Sequence, residues 1–375
     1  MNRRLLRNFD IPLAFGALAL SLASLVILSS ASLSVVPTGG DSLMYVKRQA
    51  LSLGIGVVLF LIVAATEYSD WARYSKIIYV VNTLLLLAVL IKGRSALGAQ
   101  RWLGPLQPSE IAKISIIITL STFLVERNKP IRSLLDFVPV FAHVAIPMAF
   151  ILRQPDLGTS LVFLAITFGT LFMAGAPAKH IVGMIGAGLS AIVAALWLHL
   201  NRGLPLPLRE YQIKRLIVFI NPKIDPLDSG YHVIQSQIAV GSGGIWGKGL
   251  FAGTQNRLNF LPEQHTDFIF SVIGEELGFA GCIAILALYF LLLWRIIKIM
   301  QVSRDRLGCL LAAGVFSMLS FHVLVNVGMT LGVMPITGIP LPFVSFGGNS
   351  LLTNMVSIAL VESVAMRRQK ILFGA

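Results

Sequence analysis

Three side chains able to handle protons, Glu263, His265 and Asp267, crowd into five residues where a long polar stretch meets an apolar run. The stretch begins at Leu200 and closes on Leu261-Pro-Glu-Gln-His-Thr-Asp267-Phe268. A carboxylate at such a boundary can serve as a general base for a hydroxyl within hydrogen-bond reach. It suits a substrate that is half lipid and half sugar or phosphate. The plainer reading is that Thr266 and Asp267 open a helix and that Asp267 caps it, since Asp is a preferred N-cap. The two roles are compatible, and the sequence leaves both open.

A second polar group lies at the head of an apolar run, where Glu110 and Lys113 follow Pro108 and Ser109. Three residues apart on a helix, they share a face and can pair. Ionisable residues at membrane depth are costly and point to function. Against this stands an N-terminal-turn Glu favoured by the helix dipole, with Lys113 snorkelling outward. Gln154-Pro155-Asp156 reads as a turn with Asp156 capping the next helix. Gly241-Ser-Gly-Gly-Ile-Trp-Gly-Lys-Gly249 lacks the spacing of a nucleotide-binding loop. It reads as a close-approach turn, with Lys248 free to meet an anion. Pro335, Pro340 and Pro342, with Gly338, Gly347 and Gly348, preclude a regular helix entering the last span. Irregular backbone near membrane depth must be covered by protein or line a watery cavity. The segment therefore either lines an outer cavity or makes a simple tight crossover.

The elements that must position these groups are transmembrane helices. The 375 residues are 56% hydrophobic and 13% charged, with a mean hydropathy of +0.81. Soluble domains carry roughly 25% charged residues, so the chain is an all-α polytopic membrane protein. Runs of about 20 apolar residues mark spans, and ten are found, near 12–31, 46–66, 76–92, 108–125, 135–152, 157–175, 180–198, 268–293, 307–332 and 343–366. All 375 residues read as one integral membrane domain, with a long loop, 200–267, between the seventh and eighth spans. Within the loop, Tyr211–Ile220 and Tyr231–Val240 have helical apolar spacing. They lie either on the membrane surface or packed on the bundle. The first apolar run is too long for a signal peptide's core and reads as a retained helix.

The net charge of +13 invites a nucleic-acid partner, but its distribution argues for topology instead. Counting one side's connections gives Arg3, Arg4, Arg7, Arg73, Lys76, Arg127, Lys129, Arg132, Lys179, Arg295, Lys298, Arg304, Arg306, Arg367, Arg368 and Lys370. The other side's short connections hold only Lys47, Arg48, Lys92, Arg94, Arg101 and Arg153. The positive-inside rule places both termini in the cytoplasm, and the unusual polar, Gly and Pro residues then collect on the outer face. The two cysteines, Cys282 and Cys309, support neither a disulfide nor a metal reading.

The chain also resembles the shape, elongation, division and sporulation family of peptidoglycan polymerases along essentially its whole length. The matching strings are Gly98-Ala-Gln-Arg-Trp-Leu103, Gln107-Pro-Ser-Glu-Ile-Ala-Lys113, Gln154-Pro-Asp-Leu-Gly-Thr159 and Gly230-Tyr-His-Val-Ile-Gln-Ser-Gln237. They continue with Gly241-Ser-Gly-Gly244, Gly253-Thr-Gln255, Phe260-Leu-Pro-Glu-Gln-His-Thr-Asp-Phe-Ile-Phe270 and Pro340-Leu-Pro-Phe-Val-Ser-Phe-Gly-Gly348. Gly338-Ile-Pro-Leu-Pro342 is similar to the elongation, RodA-type branch; the division branch, FtsW, more often has Thr where Pro340 stands. Asn349 departs from the small residue commoner after the Gly pair.

The resemblance implies polymerisation of lipid II, the undecaprenyl-pyrophosphate-linked disaccharide pentapeptide, at the outer leaflet of the bacterial cytoplasmic membrane. It implies that Asp267 is essential, that Glu110 and Lys113 share its cavity, and that a class B penicillin-binding protein, a transpeptidase, is the partner. The growing strand, the donor, already carries a good leaving group, so no general acid is required, unlike glycoside hydrolysis. Asp267 would take the proton of the acceptor's 4-hydroxyl, and direct displacement would invert the anomeric centre. Cations for the developing pyrophosphate charge are sought in Arg48, Arg101, Lys113 and Arg153. Further substrate contacts are sought in Gln154, Asp156, Lys248, Glu263, His265, Thr266 and Ser345. A divalent ion, magnesium or manganese, could share the work on Glu110 or Asp156, although no ligand-spacing motif calls for one. The rival functions are a lipid II flippase and a non-catalytic scaffold for the transpeptidase.

Overall fold

The computed structural model describes residues 7–32, 41, 43–96, 99–127, 129–203, 210–225, 229–258 and 260–368. Ten apolar helices order the chain: α1 (Ile11–Ala31), α2 (Met44–Ala65), α3 (Ser75–Lys92), α4 (Pro108–Glu126) and α5 (Val138–Arg153), then α6 (Leu157–Met173), α7 (Ala178–Arg202), α8 (Ile269–Gln301), α9 (Arg306–Thr330) and α10 (Gly348–Met366). Among the described residues nine apolar stretches are long enough to cross a membrane, and α6, at 17 residues, is shorter. The protein is thus a multi-pass, all-helical membrane protein, as its composition implies. One small addition is an antiparallel ribbon, β1 (Arg94–Ala96) with β2 (Ala99–Trp102), between α3 and α4.

Which helices sit inside follows from where their polar residues are. In lipid every polar group must find a partner within the protein, so helices carrying them withdraw from the bilayer. Of the apolar windows of α4 and α10, 78% is buried, against 11% for α7. The two inner helices bury Ser109, Glu110, Lys113, Ser115, Thr119, Thr353, Asn354 and Glu362. α10 packs on α2, and α9 packs on both α6 and α8. At the end where Asn8 meets the Met366 carbonyl, Asp10 caps α1 and takes both guanidinium contacts of Arg295, at 3.0 and 2.5 Å.

The eighth span differs from a plain apolar helix. α8 runs 33 residues but breaks at Gly278, whose φ of 65° and ψ of −164° leave helical space. A break inside an apolar helix frees backbone groups that need new partners. The 241–249 turn supplies them: Lys248 and Gly249 donate to the carbonyls of Glu275 and Glu276, both at 3.0 Å, while Phe279 and Ala280 donate to those of Gly244 and Ile245. The approach is so close that a Cβ on Gly278 would lie 2.3 Å from the Gly247 nitrogen. Lys248 does meet an anion, but one of the chain's own: its Nζ is 2.7 Å from Glu275 Oε1.

Both amphipathic segments of the long loop are helical, over Glu210–Ile220 and Ser229–Ser242. The second packs along α8 and α9, where Ser236 Oγ meets Ser271 Oγ at 2.7 Å and donates to the Thr330 carbonyl. Val218, Val233, Leu261, Phe268 and Ile336 form a small second core beneath the loop. The loop helices therefore cover the end of the bundle. The last span starts at Gly348, later than the 343 expected, because the Pro- and Gly-rich chain before it stays irregular.

Gly278→Val forces a branched side chain into a left-handed conformation against backbone. Such strain costs roughly 1–3 kcal/mol before any clash is added. The detergent-solubilised variant is expected to melt several degrees below wild type; an unchanged midpoint would mean that α8 is not broken there.

Candidate active site

A cavity of about 630 Å³ opens at the loop-bearing end of the bundle. Its wall is assembled from the starts of α2, α4, α6 and α10, the strand β2, α9, the turn before α8 and the irregular 338–347 segment. Arg48, Arg101, Glu110, Lys113, Asp156, Thr266 and Asp267, all singled out in the sequence, line it, and so does the Pro-rich segment from Gly338.

Asp267 lies in a tight turn in which the backbone N–H groups of Thr266, Asp267 and Phe268 all point to the Glu263 carbonyl, at 3.1 to 3.3 Å. Glu263 takes a left-handed φ of 52° to close it. The turn is clamped from both sides. Asn326 of α9 donates its amide to the carbonyls of Asp267 and Ile339, at 2.9 and 2.8 Å. Ser345 Oγ donates to the Thr266 carbonyl at 2.6 Å and accepts from Leu341 N–H, and Phe346 N–H donates to the His265 carbonyl.

The capping role foreseen for Asp267 is not there. The N-cap of α8 is Phe268, with no side-chain capping bond, because the Glu263 turn already takes up the local N–H groups. The carboxyl faces the cavity instead, where Gly338, at φ 71°, lets backbone come close: a Cβ there would lie 3.3 Å from Asp267 Oδ2. Burial lifts this carboxyl from its usual value to about 6, and the like charge of Glu263 adds to the rise, while Arg215 and Arg101 oppose it. Groups tuned toward neutrality in a cleft are the expected form of a general base.

Opposite stands the Glu110–Lys113 pair, joined at 2.8 Å, with Lys113 2% exposed. That burial excludes an outward-snorkelling Lys113, while Glu110 does stand in the first turn of α4, where the helix dipole favours it. Lys113 Nζ also lies 3.3 Å from Nε2 of His322 on α9. Asp156 does cap α6, accepting from Thr159 N–H at 3.2 Å, and still lines the cavity. Arg101 is tethered to the same turn by the carbonyls of Gln154 and Pro155 and stands 3.9 Å from Asp156.

Other expected substrate contacts are placed elsewhere. Arg153 is exposed at the end of α5 and does not line the cavity. Gln154 is buried and donates to the Leu86 carbonyl. Lys248 is bound to Glu275. Glu263 is exposed and holds Thr266 Oγ1 at 2.9 Å. His265 packs between Tyr45 and Phe346, and its burial holds its pKa below the usual histidine value. Ser345 is a strut rather than a lining residue. Sequence reasoning missed His322, Asn326 and Asn349; the last ties the cavity rim by donating to the Pro105 carbonyl. A lone histidine inside an apolar span was the available signal for the first.

Such a site, sunk into one end of a polytopic helical bundle, has the makings of a membrane-embedded enzyme. Residues 11–370 match the cell cycle protein family that groups FtsW, RodA and SpoVE. Among curated relatives, stage V sporulation protein E of Bacillus subtilis is 38% identical over 93% of this chain and 94% of its own length. The peptidoglycan glycosyltransferase MrdB of Escherichia coli is 36% identical, covering 93% of each. A solved chain described as "Structural coordination of polymerization and crosslinking by a peptidoglycan synthase complex" superposes with a TM-score of 0.80 at 31% identity, over 95% of this chain and 97% of that one. The chain belongs to the FtsW/RodA/SpoVE family, and it is a peptidoglycan glycosyltransferase.

Because ionisation of Asp267 is disfavoured where it stands, the neutral isostere relieves a cost. Asp267→Asn is expected to melt no lower than wild type, and to be on the order of 1–3 kcal/mol more stable at neutral pH. A marked drop would mean that the carboxylate holds the turn together.

Proposed function

We propose that the chain extends glycan strands from lipid II at the outer leaflet of the cytoplasmic membrane, with both termini cytoplasmic and the cavity facing outward. The observation that carries this reading is the Asp267 carboxyl, spared from capping, sharing one cavity with Arg48, Arg101 and Lys113. Asp267 takes the proton from the acceptor's 4-hydroxyl. The oxygen attacks the anomeric carbon of the donor strand, the bond to pyrophosphate breaks, and the configuration inverts. Lys113 and Arg101 stabilise the charge gathering on the departing pyrophosphate, an effect that is large where water is excluded. Arg48, exposed at the rim, guides the anionic headgroup inward.

A divalent cation would find few protein ligands here. Glu110 Oε2 is buried without a hydrogen-bond partner, but Asp156 is engaged by Ser109 and Thr159. Among the described residues no group of three or more His, Cys, Asp or Glu side chains is assembled. Magnesium or manganese would therefore be held mainly by substrate phosphates and water. A role in elongation rests on the Gly338–Pro342 string, and a class B penicillin-binding protein as partner is supported by the synthase complex that the chain resembles.

The test is strand synthesis from purified lipid II, with and without the transpeptidase. Asp267→Ala is expected to abolish product, and Lys113→Ala to reduce it strongly. The base works only when ionised, so the wild-type rate rises as pH climbs through about 6 and flattens above it. Glu263→Gln removes a like charge and moves that rise to lower pH. Full polymerisation by Asp267→Ala would overturn the reading, and lipid II scrambling that survives the same substitution would favour transport.

A further inference from the structure

His322 has no part in the mechanism above, yet it is 1% exposed and touches the one lysine buried in the cavity wall. Its two ring nitrogens are distinguishable. Nδ1 stands 2.7 Å from the Met318 carbonyl, one turn back on α9. A carbonyl only accepts, so Nδ1 carries the hydrogen. Nε2 faces Lys113 Nζ at 3.3 Å, and an ammonium only donates, so Nε2 presents its lone pair. The imidazole is thereby fixed as one neutral tautomer.

Lys113 has three N–H bonds to place. One goes to Glu110 Oε1 at 2.8 Å and one to His322 Nε2. The third is left for the cavity that Lys113 lines. Without His322 the long, flexible lysine stem would keep one fixed contact, and two of its N–H bonds would be free to wander. Resting on the polymerase reading, we infer that His322 is a positioning residue: it acts as a neutral acceptor that aims the Lys113 ammonium at the pyrophosphate of the lipid-linked substrate.

The experiment compares His322→Gln, His322→Asn and His322→Leu with Lys113→Ala and the Lys113→Ala/His322→Leu double variant in the full-length protein. Gln carries an amide oxygen at the reach of Nε2 and can still accept from Lys113; Asn falls short, and Leu cannot accept. Expected is a kcat/KM for His322→Gln near wild type, with a loss of roughly tenfold or more for Asn and Leu. The double variant is expected to lose no more than Lys113→Ala alone, because the histidine acts through the lysine. A second readout needs no turnover: inorganic pyrophosphate raises the melting midpoint of wild type and His322→Gln but not of His322→Asn, His322→Leu or Lys113→Ala. Should His322→Leu fail to fold, the Gln and Asn pair decides alone. Equal losses in Gln and Asn, or a double variant whose losses multiply, would overturn the assignment. An inactive wild type with the pyrophosphate pattern intact would sink the polymerase reading and leave this one standing.

Discussion

A lysine ammonium 2% exposed inside an apolar bundle is the constraint to which the site is built. Taking such a charge from water costs several kcal/mol unless close partners replace its hydration. The partners are Glu110 at 2.8 Å and His322 at 3.3 Å, which come from α4 and α9. Those two helices must therefore lie side by side at the bundle centre, and lipid-facing duty falls to others such as α7. The same pairing accounts for the enclosure of α4, one of the least apolar spans. In the proposed mechanism, a positive charge so held costs no reorganisation when pyrophosphate charge develops beside it.

Around that pair the chain uses irregular backbone where a helix would be simpler. The break in α8 and the uncoiled run before α10 each require partners for freed N–H and C=O groups, and each finds them in protein. The 241–249 turn fills the first, with Glu275 also taking Lys248, Thr254 and the Gln255 N–H. Asn326, Ser345 and Gln49 fill the second, Gln49 bridging the Ser345 carbonyl and the Gly347 N–H. The second set of struts joins the segment that lines the cavity, holding it by its backbone.

The bundle was legible in the sequence because hydrophobic length is read one residue at a time. Ten runs, the long loop and its two helices, and the one-sided gathering of polar residues all needed no knowledge of neighbours. What was not legible depends on orientation or on distant pairing. Arg101 and Arg153 are the same residue type near the same turn, but only the helix and ribbon geometry turns one inward. His322 gains meaning only when α9 brings it to Lys113, 209 residues earlier. Nothing in the sequence around Gly278 marks a break, since the break it makes is stabilised by a turn some thirty residues before it. Lys248 was read as available for a ligand because Glu275, its partner, lay inside what scanned as a plain span.

We propose Asp267 as the base because the neighbouring carboxylates are already engaged. Glu110 neutralises Lys113, Asp156 caps α6 and faces Arg101, and Glu275 gathers a lysine, a threonine and a backbone N–H. Glu276 accepts from Ser30 at 2.5 Å, and Glu263 is spent on the turn and on Thr266. Each of these side chains is already bonded within the protein, and only Oε2 of Glu110 among their oxygens is left buried without a partner. Asp267 is held by its backbone instead, through Asn326 and the Glu263 turn, and its carboxyl is pushed toward neutrality by burial rather than away from it. Fixing a residue by its main chain while withholding stabilisation from its side chain is how a rigid fold keeps a carboxylate basic enough to accept a proton near neutral pH.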